Sequence, residues 1–362
     1  MNISGRSFEV SGTPFMQQDN TVGACAQASI WMSLRTLRKK EGFAAHNPAQ
    51  ITTLATKYMV SGRTLPNREG LQVSQMIEAV RSAGYAPNLL HLPEPISRMK
   101  NEDDDVFAVR NVERVSGIRD VLYPYIESEL PVILVLFHAN NGHAVVMIGH
   151  GWNSKPENFI QDQKEARFIK AVSWATPYYI HNDNTGPYRE LLGQSDSDYS
   201  LGMARYAIPL FPNDVFMNAQ EAEAAAIATI QEVERHTSGR GITSLGDDRY
   251  VVGTYLQDGC KFRDFVVSAS LCAPLKEYYR MKSLPRRVWV TEINKFDGYG
   301  GNVATRVGEV LIDPTGEPTE MPFLSAHIPS VLFDRDQDTE EIKFYDINHD
   351  NGYDRLDRSP CN

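Results

Sequence analysis

The chain has 362 residues, four cysteines and a formal net charge of −10 at pH 7, with 42% hydrophobic and 23% charged residues. This balance is typical of an ordinary globular protein, and the acidic charge argues against a nucleic-acid or anionic-membrane partner. No apolar run approaches the length that crosses a bilayer, and the N-terminus lacks the apolar core of a signal peptide. We therefore expect a cytoplasmic protein without a membrane partner, and the length favours two domains.

The first informative stretch is a polar, glycine-bearing loop at residues 17–24 that runs into a helix beginning at Cys25. A thiol at a helix N-terminus faces unpaired N–H groups and the positive end of the helix dipole, which favour the thiolate. Cys25 is therefore a candidate nucleophile, and a side-chain amide from Gln17 or Gln18 could help to hold an oxyanion. The competing interpretation is a small buried hydrophobe, which describes most free cysteines.

Apolar periodicity and helix or strand breakers predict the other elements in chain order. The pattern predicts helices at residues 25–40, 48–60, 71–83, 118–126, 219–236 and near 268–281. It predicts strands at residues 132–137, 142–149, 168–180, 203–211, 250–255, 262–267, 287–293 and 307–313. Residues 101–105 form an acidic run that we expect to be a solvated loop. The linker-like composition of residues 191–200 predicts a domain boundary near residue 200.

A catalytic thiol needs a histidine base and a third group that orients the ring, both distant in sequence but close in the fold. The chain offers His143 in an apolar, β-branched run that is typical of a buried strand. Asp183 closes a further predicted strand, 40 residues after His143. Helical and strand-rich segments would then meet at a cleft that contains Cys25, His143 and Asp183.

The order of these motifs resembles that of papain-like cysteine peptidases, and the C39-like branch is the most similar. The resemblance covers roughly residues 12–190. It rests on a glutamine, then Cys25-Ala-Gln-Ala-Ser, then Gly-His143-Ala-Val-Val-Met-Ile-Gly, then a strand that ends in Asp183 before Gly-Pro-Tyr. Two features depart from the family pattern. Ala26 stands where the family usually has glycine, and Gln18 and Gln17 lie seven and eight positions before the cysteine rather than five or six.

The resemblance implies an α+β papain-like fold, in which a helical half faces an antiparallel sheet, with a smaller α+β accessory domain. Residues 1–200 would be the catalytic domain, and residues 201–362 an accessory domain of unknown role. The resemblance further implies Cys25 as nucleophile, His143 as base, Asp183 as the orienting residue and Gln18 (or Gln17) as oxyanion donor. The expected function is hydrolysis of a peptide or isopeptide bond in a polypeptide substrate, without a cofactor or metal.

The sequence leaves three alternatives open. The same triad could transfer the acyl group to an amine, as a transglutaminase-like enzyme or a deamidase does. A zinc hydrolase could use the imidazoles of His138, His143, His150 and His181, although the chain has no His-Glu-x-x-His helix. An inactive papain-like binding module is the third alternative, and Ala26 is the one hint toward it.

Two features of the C-terminal half have structural interpretations. The acidic sequence from Asp334 to Thr339 begins like a calcium loop but lacks glycine at its sixth position, so we interpret it as a turn between strands. Cys260 and Cys272 lie among alternating apolar residues and are expected to be core thiols. No cysteine pair has zinc-knuckle spacing.

Overall fold

The computed structural model describes most of the chain from residue 2 to residue 347. The described residues are 2–3, 6–7, 12–18, 23–42, 44–57, 70–96, 99–138, 141–157, 166–193, 199–240, 245–246, 248–316, 322–336 and 339–347. Within these ranges, no helix is both long enough and apolar enough to cross a membrane.

The described residues contain seven α-helices, most of which begin or end at a recognisable capping residue. Asn218 and Glu221 form a capping box at the start of α5, and Gly42 ends α1 in the left-handed conformation. The helices are α1 (Cys25–Glu41), α2 (Pro48–Ala55), α3 (Val73–Ser82), α4 (Asp104–Glu127), α5 (Ala219–Ser238), α6 (Gly259–Ser268) and α7 (Ala273–Met281). Short 3-10 turns occupy Ala171–Trp174 and Leu201–Met203.

The strands form one two-stranded ribbon and two seven-stranded sheets. The first strands are β1 (Asn2–Ile3), β2 (Arg6–Ser7), β3 (Ala86–Pro87), β4 (Leu90–His91), β5 (Val132–His138), β6 (Asn141–Trp152), β7 (Phe168–Lys170) and β8 (Ala175–Asn182). The remaining strands are β9 (Gly186–Leu191), β10 (Ala204–Phe211), β11 (Tyr250–Asp258), β12 (Arg287–Lys295), β13 (Arg306–Ile312), β14 (Phe323–Ile328), β15 (Val331–Arg335) and β16 (Ile342–Asp346).

The first sheet has the order β3-β10-β5-β6-β8-β9, with β4 paired to β10, and its pairings are antiparallel. The second sheet has the order β16-β15-β14-β13-β12-β11-β7. All its pairings are antiparallel except the parallel pair β11 and β7. Mixed helices and antiparallel sheets confirm the predicted α+β class.

The two sheets are connected both by strand pairing and by the hydrophobic core. β7 precedes residue 200 but pairs with β11 of the second sheet, whereas β10 follows residue 200 and pairs with β5 of the first. One buried apolar cluster includes residues of α1, α5 and both sheets, and a separate cluster lies beneath α6 and α7. The division of the chain into domains at residue 200 stays a prediction.

Several predictions about local structure are wrong, and each has a physical reason. Residues 262–267 lie in helix α6 rather than in a strand, because Phe262, Phe265 and Val266 bury a helical stripe against the second sheet. The acidic run starts α4 instead of forming a loop. Asp103 accepts a hydrogen bond from the N–H of Asp105 at 2.8 Å, a favourable place for a carboxylate beside the helix dipole.

The prediction of core thiols in the C-terminal half is wrong for Cys260 and holds in part for Cys272. Cys260 lies in the first turn of α6 and is exposed, whereas Cys272, at the start of α7, is partly buried and packs against the apolar cluster beneath α6 and α7. The interpretation of the acidic sequence at residues 334–339 agrees with the strands on either side, because β15 and β16 pair antiparallel around it. Residues 337–338 lie outside the described residues.

A buried charged network lies where α6 and α7 cover the second sheet. The Arg306 guanidinium donates to Glu309 Oε2 from Nη2 at 3.0 Å and from Nε at 3.2 Å. The Tyr279 hydroxyl donates to Glu309 Oε1 at 2.6 Å, and His327 Nδ1 lies 3.2 Å from the same oxygen. Burial raises the pKa of Glu309, but the Arg306 and His327 charges and these hydrogen bonds outweigh it and hold the pKa well below its usual range.

Replacing Glu309 should be costly because Arg306 is fully buried. We expect Glu309→Gln to lower the free energy of unfolding by about 3 kcal/mol at pH 7, measured by urea denaturation. A carboxylate with a lowered pKa stabilises the fold above the unfolded-state pKa. The advantage of the wild type should therefore begin to fade below a pH of about 4.3.

Glu341→Gln is the matched control because Glu341 is exposed and its Oε2 lies 3.9 Å from Lys343 Nζ on the surface. We expect this substitution to change the free energy of unfolding by less than about 0.5 kcal/mol. Equal unfolding midpoints for the two variants would show that the buried network does not stabilise the fold.

Candidate active site

The start of α1 lies against the part of β6 that carries His143. Ala28 and Met32 of α1 pack on Val146 of β6 in a small buried cluster. Cys25 lies one helical turn before Ala28 and therefore shares its helix face, while Ala144, the residue after His143, lies two residues before Val146 and shares its strand face. The packing of α1 on β6 thus determines which backbone and side-chain groups surround the cysteine.

Cys25 is the first residue of α1, and its thiol is partly buried against β6. The backbone N–H of Ala144, the residue after His143, interacts with the sulfur and favours the thiolate, as do the N–H groups of Ala26 and Cys25. Burial of the sulfur outweighs these groups, and the charge of Asp183 adds to the burial effect. The pKa of Cys25 is therefore raised, and the expected thiolate is not the resting form.

Asn182, at the end of β8, is the hydrogen-bond partner of the His143 ring. Its Oδ1 accepts from the N–H of Asn184 at 3.0 Å and lies 3.0 Å from His143 Nε2. Because an amide oxygen only accepts, Nε2 must carry the proton in the neutral ring, and Nδ1 is left as the basic nitrogen. Burial lowers the pKa of His143, and the bond to Asn182 offsets this only in part.

Asp183 is nearly inaccessible, at 1% exposure, and lies slightly too far from His143 for a hydrogen bond. Its Oδ1 is 3.6 Å from His143 Nε2, a distance at which the carboxylate attracts an imidazolium. Within the described chain, neither carboxylate oxygen has a partner in hydrogen-bond geometry. Burial raises the pKa of Asp183 to about 6, although the N–H groups of Asp183 and Asn184 partly oppose the rise.

Gln18 links the two chain segments that flank the site. Its Oε1 accepts from the N–H of Ala24 at 2.8 Å, and its Nε2 donates to Asn184 Oδ1 at 2.7 Å. An amide nitrogen carries two protons, so one N–H of Gln18 remains beyond the bond to Asn184. Gln17 is exposed. Of the two glutamines that the sequence left open, Gln18 is the one tied to the residue before Cys25.

Tyr199 covers one face of the His143 ring. The two ring centroids are 4.5 Å apart and the planes are inclined by 26°, which is a stacked arrangement. Burial raises the pKa of Tyr199, and the charges of Cys25 and Asp183 raise it further, so the phenol stays protonated. Tyr199 therefore lies within electrostatic reach of both Cys25 and Asp183.

The other histidines of the region have separate partners. His181 Nδ1 accepts from the N–H of Tyr188 at 3.2 Å, so its Nε2 donates to Thr13 Oγ1 at 2.7 Å. His150 lies between the Gly151 carbonyl at 2.7 Å and Glu127 Oε1 at 3.2 Å. Among the residues that the structure describes, no three His, Cys, Asp or Glu side chains form a group that could hold a metal ion. The side chain of His138 lies outside the described residues.

The structure brings Cys25, His143, Asp183 and Gln18 to one region, where their catalytic roles stay predictions. Sequence reasoning missed Asn182 and Tyr199. Asn182 adjoins Asp183 within the polar run His-Asn-Asp-Asn, which was the available signal. Neighbouring residues of a regular strand point to opposite faces, so both can approach one ring only because β8 ends at Asn182. No comparable signal marked Tyr199, which lies in a linker-like segment.

Comparison with known proteins gives little beyond this geometry. No family model matches the chain, and no curated protein matches it. Among solved structures, it is similar to the peptidase domain of Streptococcus ComA, a bifunctional ABC transporter involved in a quorum-sensing pathway. The match covers 56% of this chain and 100% of that domain, at 12% sequence identity and a TM-score of 0.32. A similarity of this size identifies neither the fold nor the activity of the present chain.

The buried Asp183 carboxylate should cost stability, which gives a test of its environment. A raised pKa means that the folded state binds the proton more tightly than the unfolded state, so the fold loses stability as the pH rises from about 3.9 to about 6, and the cost is complete above pH 6. We expect Asp183→Asn to raise the free energy of unfolding by roughly 2 kcal/mol at pH 7.5. The gain should shrink to a small fraction at pH 4, where Asp183 is protonated in the folded state and about half protonated in the unfolded state.

The measurement is urea denaturation of both proteins at pH 7.5 and pH 4. Asp264→Asn is the control because Asp264 is exposed on α6, and it should show no gain at either pH. A loss of stability at pH 7.5 in Asp183→Asn, or an equal gain at both pH values, would contradict this description of the carboxylate.

Proposed function

We propose that the chain is a cysteine peptidase of the papain-like, C39-like kind, with a catalytic domain at residues 1–200. In this proposal Cys25 is the nucleophile and His143 the general base for cleavage of a peptide or isopeptide bond. The observation that carries it is the convergence of three distant segments: His143 Nε2 lies 3.6 Å from Asp183 Oδ1, and both the backbone N–H of Ala144 and the charge of Asp183 act on the Cys25 sulfur. Covalent catalysis by a thiol needs a nucleophile, a base and an orienting group in one such place.

The resting pair in this mechanism is neutral. As the sulfur attacks the substrate carbonyl carbon, a bond forms between them, and His143 Nδ1 takes the thiol proton. The carbonyl electron pair moves onto the oxygen. The N–H of Cys25 and the remaining Nε2 proton of Gln18 are the donors that we assign to this oxyanion. The first N–H groups of α1 have no side-chain cap, which suits them for this role.

Asn182 and Asp183 together take the role of orienting and stabilising the His143 ring, which the sequence analysis assigned to Asp183 alone. Asn182 keeps the Nε2 proton of His143 in place at 3.0 Å, which fixes the tautomer and the ring plane. Asp183, at 3.6 Å, stabilises the imidazolium that forms during attack and does not accept its proton. His143 then protonates the leaving amine as the C–N bond breaks. Water, deprotonated by the same nitrogen, hydrolyses the thioester to release a carboxylic acid and the free thiol.

A peptide library prepared from digested bacterial protein provides a test that does not depend on the identity of the substrate. We expect the full chain in H2-18O to produce new C-termini that carry 18O, detected by mass spectrometry. Cys25→Ala should produce none, with an unchanged circular dichroism spectrum and urea midpoint. His143→Ala should reduce the yield more than Asp183→Ala, because His143 moves the proton and Asp183 only stabilises the resulting charge.

The same digestion with added methylamine separates hydrolysis from acyl transfer, because a transferase would give methylamide products in place of 18O-labelled acids. Cleavage by Cys25→Ala at the wild-type rate would exclude the thiol mechanism. Loss of folding in Cys25→Ala, with no cleavage by the wild type, would identify Cys25 as a structural thiol. Absence of both products from the folded wild type would leave the peptidase proposal without support and would count against it.

A further inference from the structure

We propose that Tyr199 is a positioning residue for His143, whose aromatic face holds the imidazole plane and favours its protonated state during catalysis. This inference rests on the proposed function, since it concerns the proton that His143 takes from Cys25. Its basis is the stacked contact between the two rings, with centroids 4.5 Å apart and planes inclined by 26°. Tyr199 does not exchange a proton with substrate in this proposal.

The backbone that carries Tyr199 is anchored on its C-terminal side. Ser200 and Leu201 are buried, at 4% and 1% exposure. The N–H of Leu201 donates to the Leu192 carbonyl at 2.8 Å, and the N–H of Gly202 donates to the Gly193 carbonyl at 3.0 Å. Arg114 of α4 also donates to the Gly202 carbonyl, at 2.8 Å. A side chain attached to such a fixed segment can hold another ring at low entropic cost.

The titratable groups that the structure places against His143 are the Asp183 carboxylate, which follows β8, and Tyr199 itself. The Cys25 thiol, at the start of α1, interacts with the N–H of Ala144, the residue after His143. Asn182 adds a neutral hydrogen bond at Nε2. Asp183 attracts the imidazolium from the ring edge, and Tyr199 covers the ring face, so the two groups act on the charged ring from different directions.

An aromatic face can offset the effect of burial on the charged form of His143. Burial lowers the pKa of His143 and so opposes the imidazolium that forms when the ring takes the thiol proton. The negative face of an aromatic ring attracts a cation while excluding water, so Tyr199 can offset part of the burial cost without opening the site. An aliphatic side chain of similar bulk would exclude water but would not attract the cation.

This difference defines the pair of variants that tests the proposal. Tyr199→Phe keeps the aromatic face and removes the hydroxyl, whereas Tyr199→Leu keeps an apolar cover and removes the face. The first readout is the pKa of His143 from NMR titration of the ring in the full chain. The second is the rate at which iodoacetamide alkylates Cys25 between pH 5.5 and pH 8, with each modified cysteine identified by peptide mapping.

We expect Tyr199→Leu to lower the pKa of His143 by about half a unit to one unit and to slow alkylation of Cys25 by about 3- to 10-fold. Tyr199→Phe should keep both values close to wild type, within about twofold in rate. If Tyr199 had only a structural role, both variants would alter the urea midpoint. The His143 pKa and the alkylation rate of Cys25 would then not differ between Tyr199→Phe and Tyr199→Leu.

Two results would overturn the proposal: equal behaviour of Tyr199→Phe and Tyr199→Leu, or a higher His143 pKa in Tyr199→Leu than in the wild type. These outcomes differ from a failure of the proposed function. If His143→Ala leaves the alkylation rate of Cys25 unchanged, the peptidase proposal fails, but the NMR titration still reports on the stack. If His143→Ala slows the alkylation and both Tyr199 variants match the wild type, only the role of Tyr199 is rejected.

Discussion

The packing of α1 on β6 is the interaction on which the candidate site depends. Ala28 and Met32 bury their side chains against Val146, and this contact fixes the position of α1 along β6. A shift of one residue in the strand would turn His143 to the opposite face of the sheet. The helix start and the strand therefore have to be in register before the Cys25 sulfur can meet the N–H of Ala144.

The same packing determines the protonation states of the site. Burial raises the pKa of Cys25 and lowers that of His143, so the resting pair is a neutral thiol and a neutral imidazole. Asp183 is buried beside them with a pKa raised to about 6, which costs folding stability at neutral pH. Such a cost is typical of functional sites, where a charged group is kept for its effect on the reacting atoms.

Local patterns predict the parts of the fold that local chemistry determines. The extent of α1 and the capping of α5 by Asn218 agree with the prediction, because helical periodicity and caps are readable from a few residues. The pattern at residues 262–267 wrongly predicts a strand, because a short apolar run fits either structure until its tertiary partners are known. Asn182 and Tyr199 escape prediction for a related reason: their roles depend on where β8 ends and on contacts between distant segments.

The central claim is that Cys25 and His143 work as a pair, and selective alkylation tests it most directly. The measurement is the rate of modification of each cysteine by a limiting amount of iodoacetamide between pH 5.5 and pH 8, in the wild type and in His143→Ala. Because burial raises the pKa of Cys25, its alkylation well below the ordinary thiol pKa of about 8.5 requires proton transfer to His143, so His143→Ala should slow the modification of Cys25 and leave that of exposed Cys260 unchanged. A rate for Cys25 that His143→Ala leaves unchanged would contradict the account.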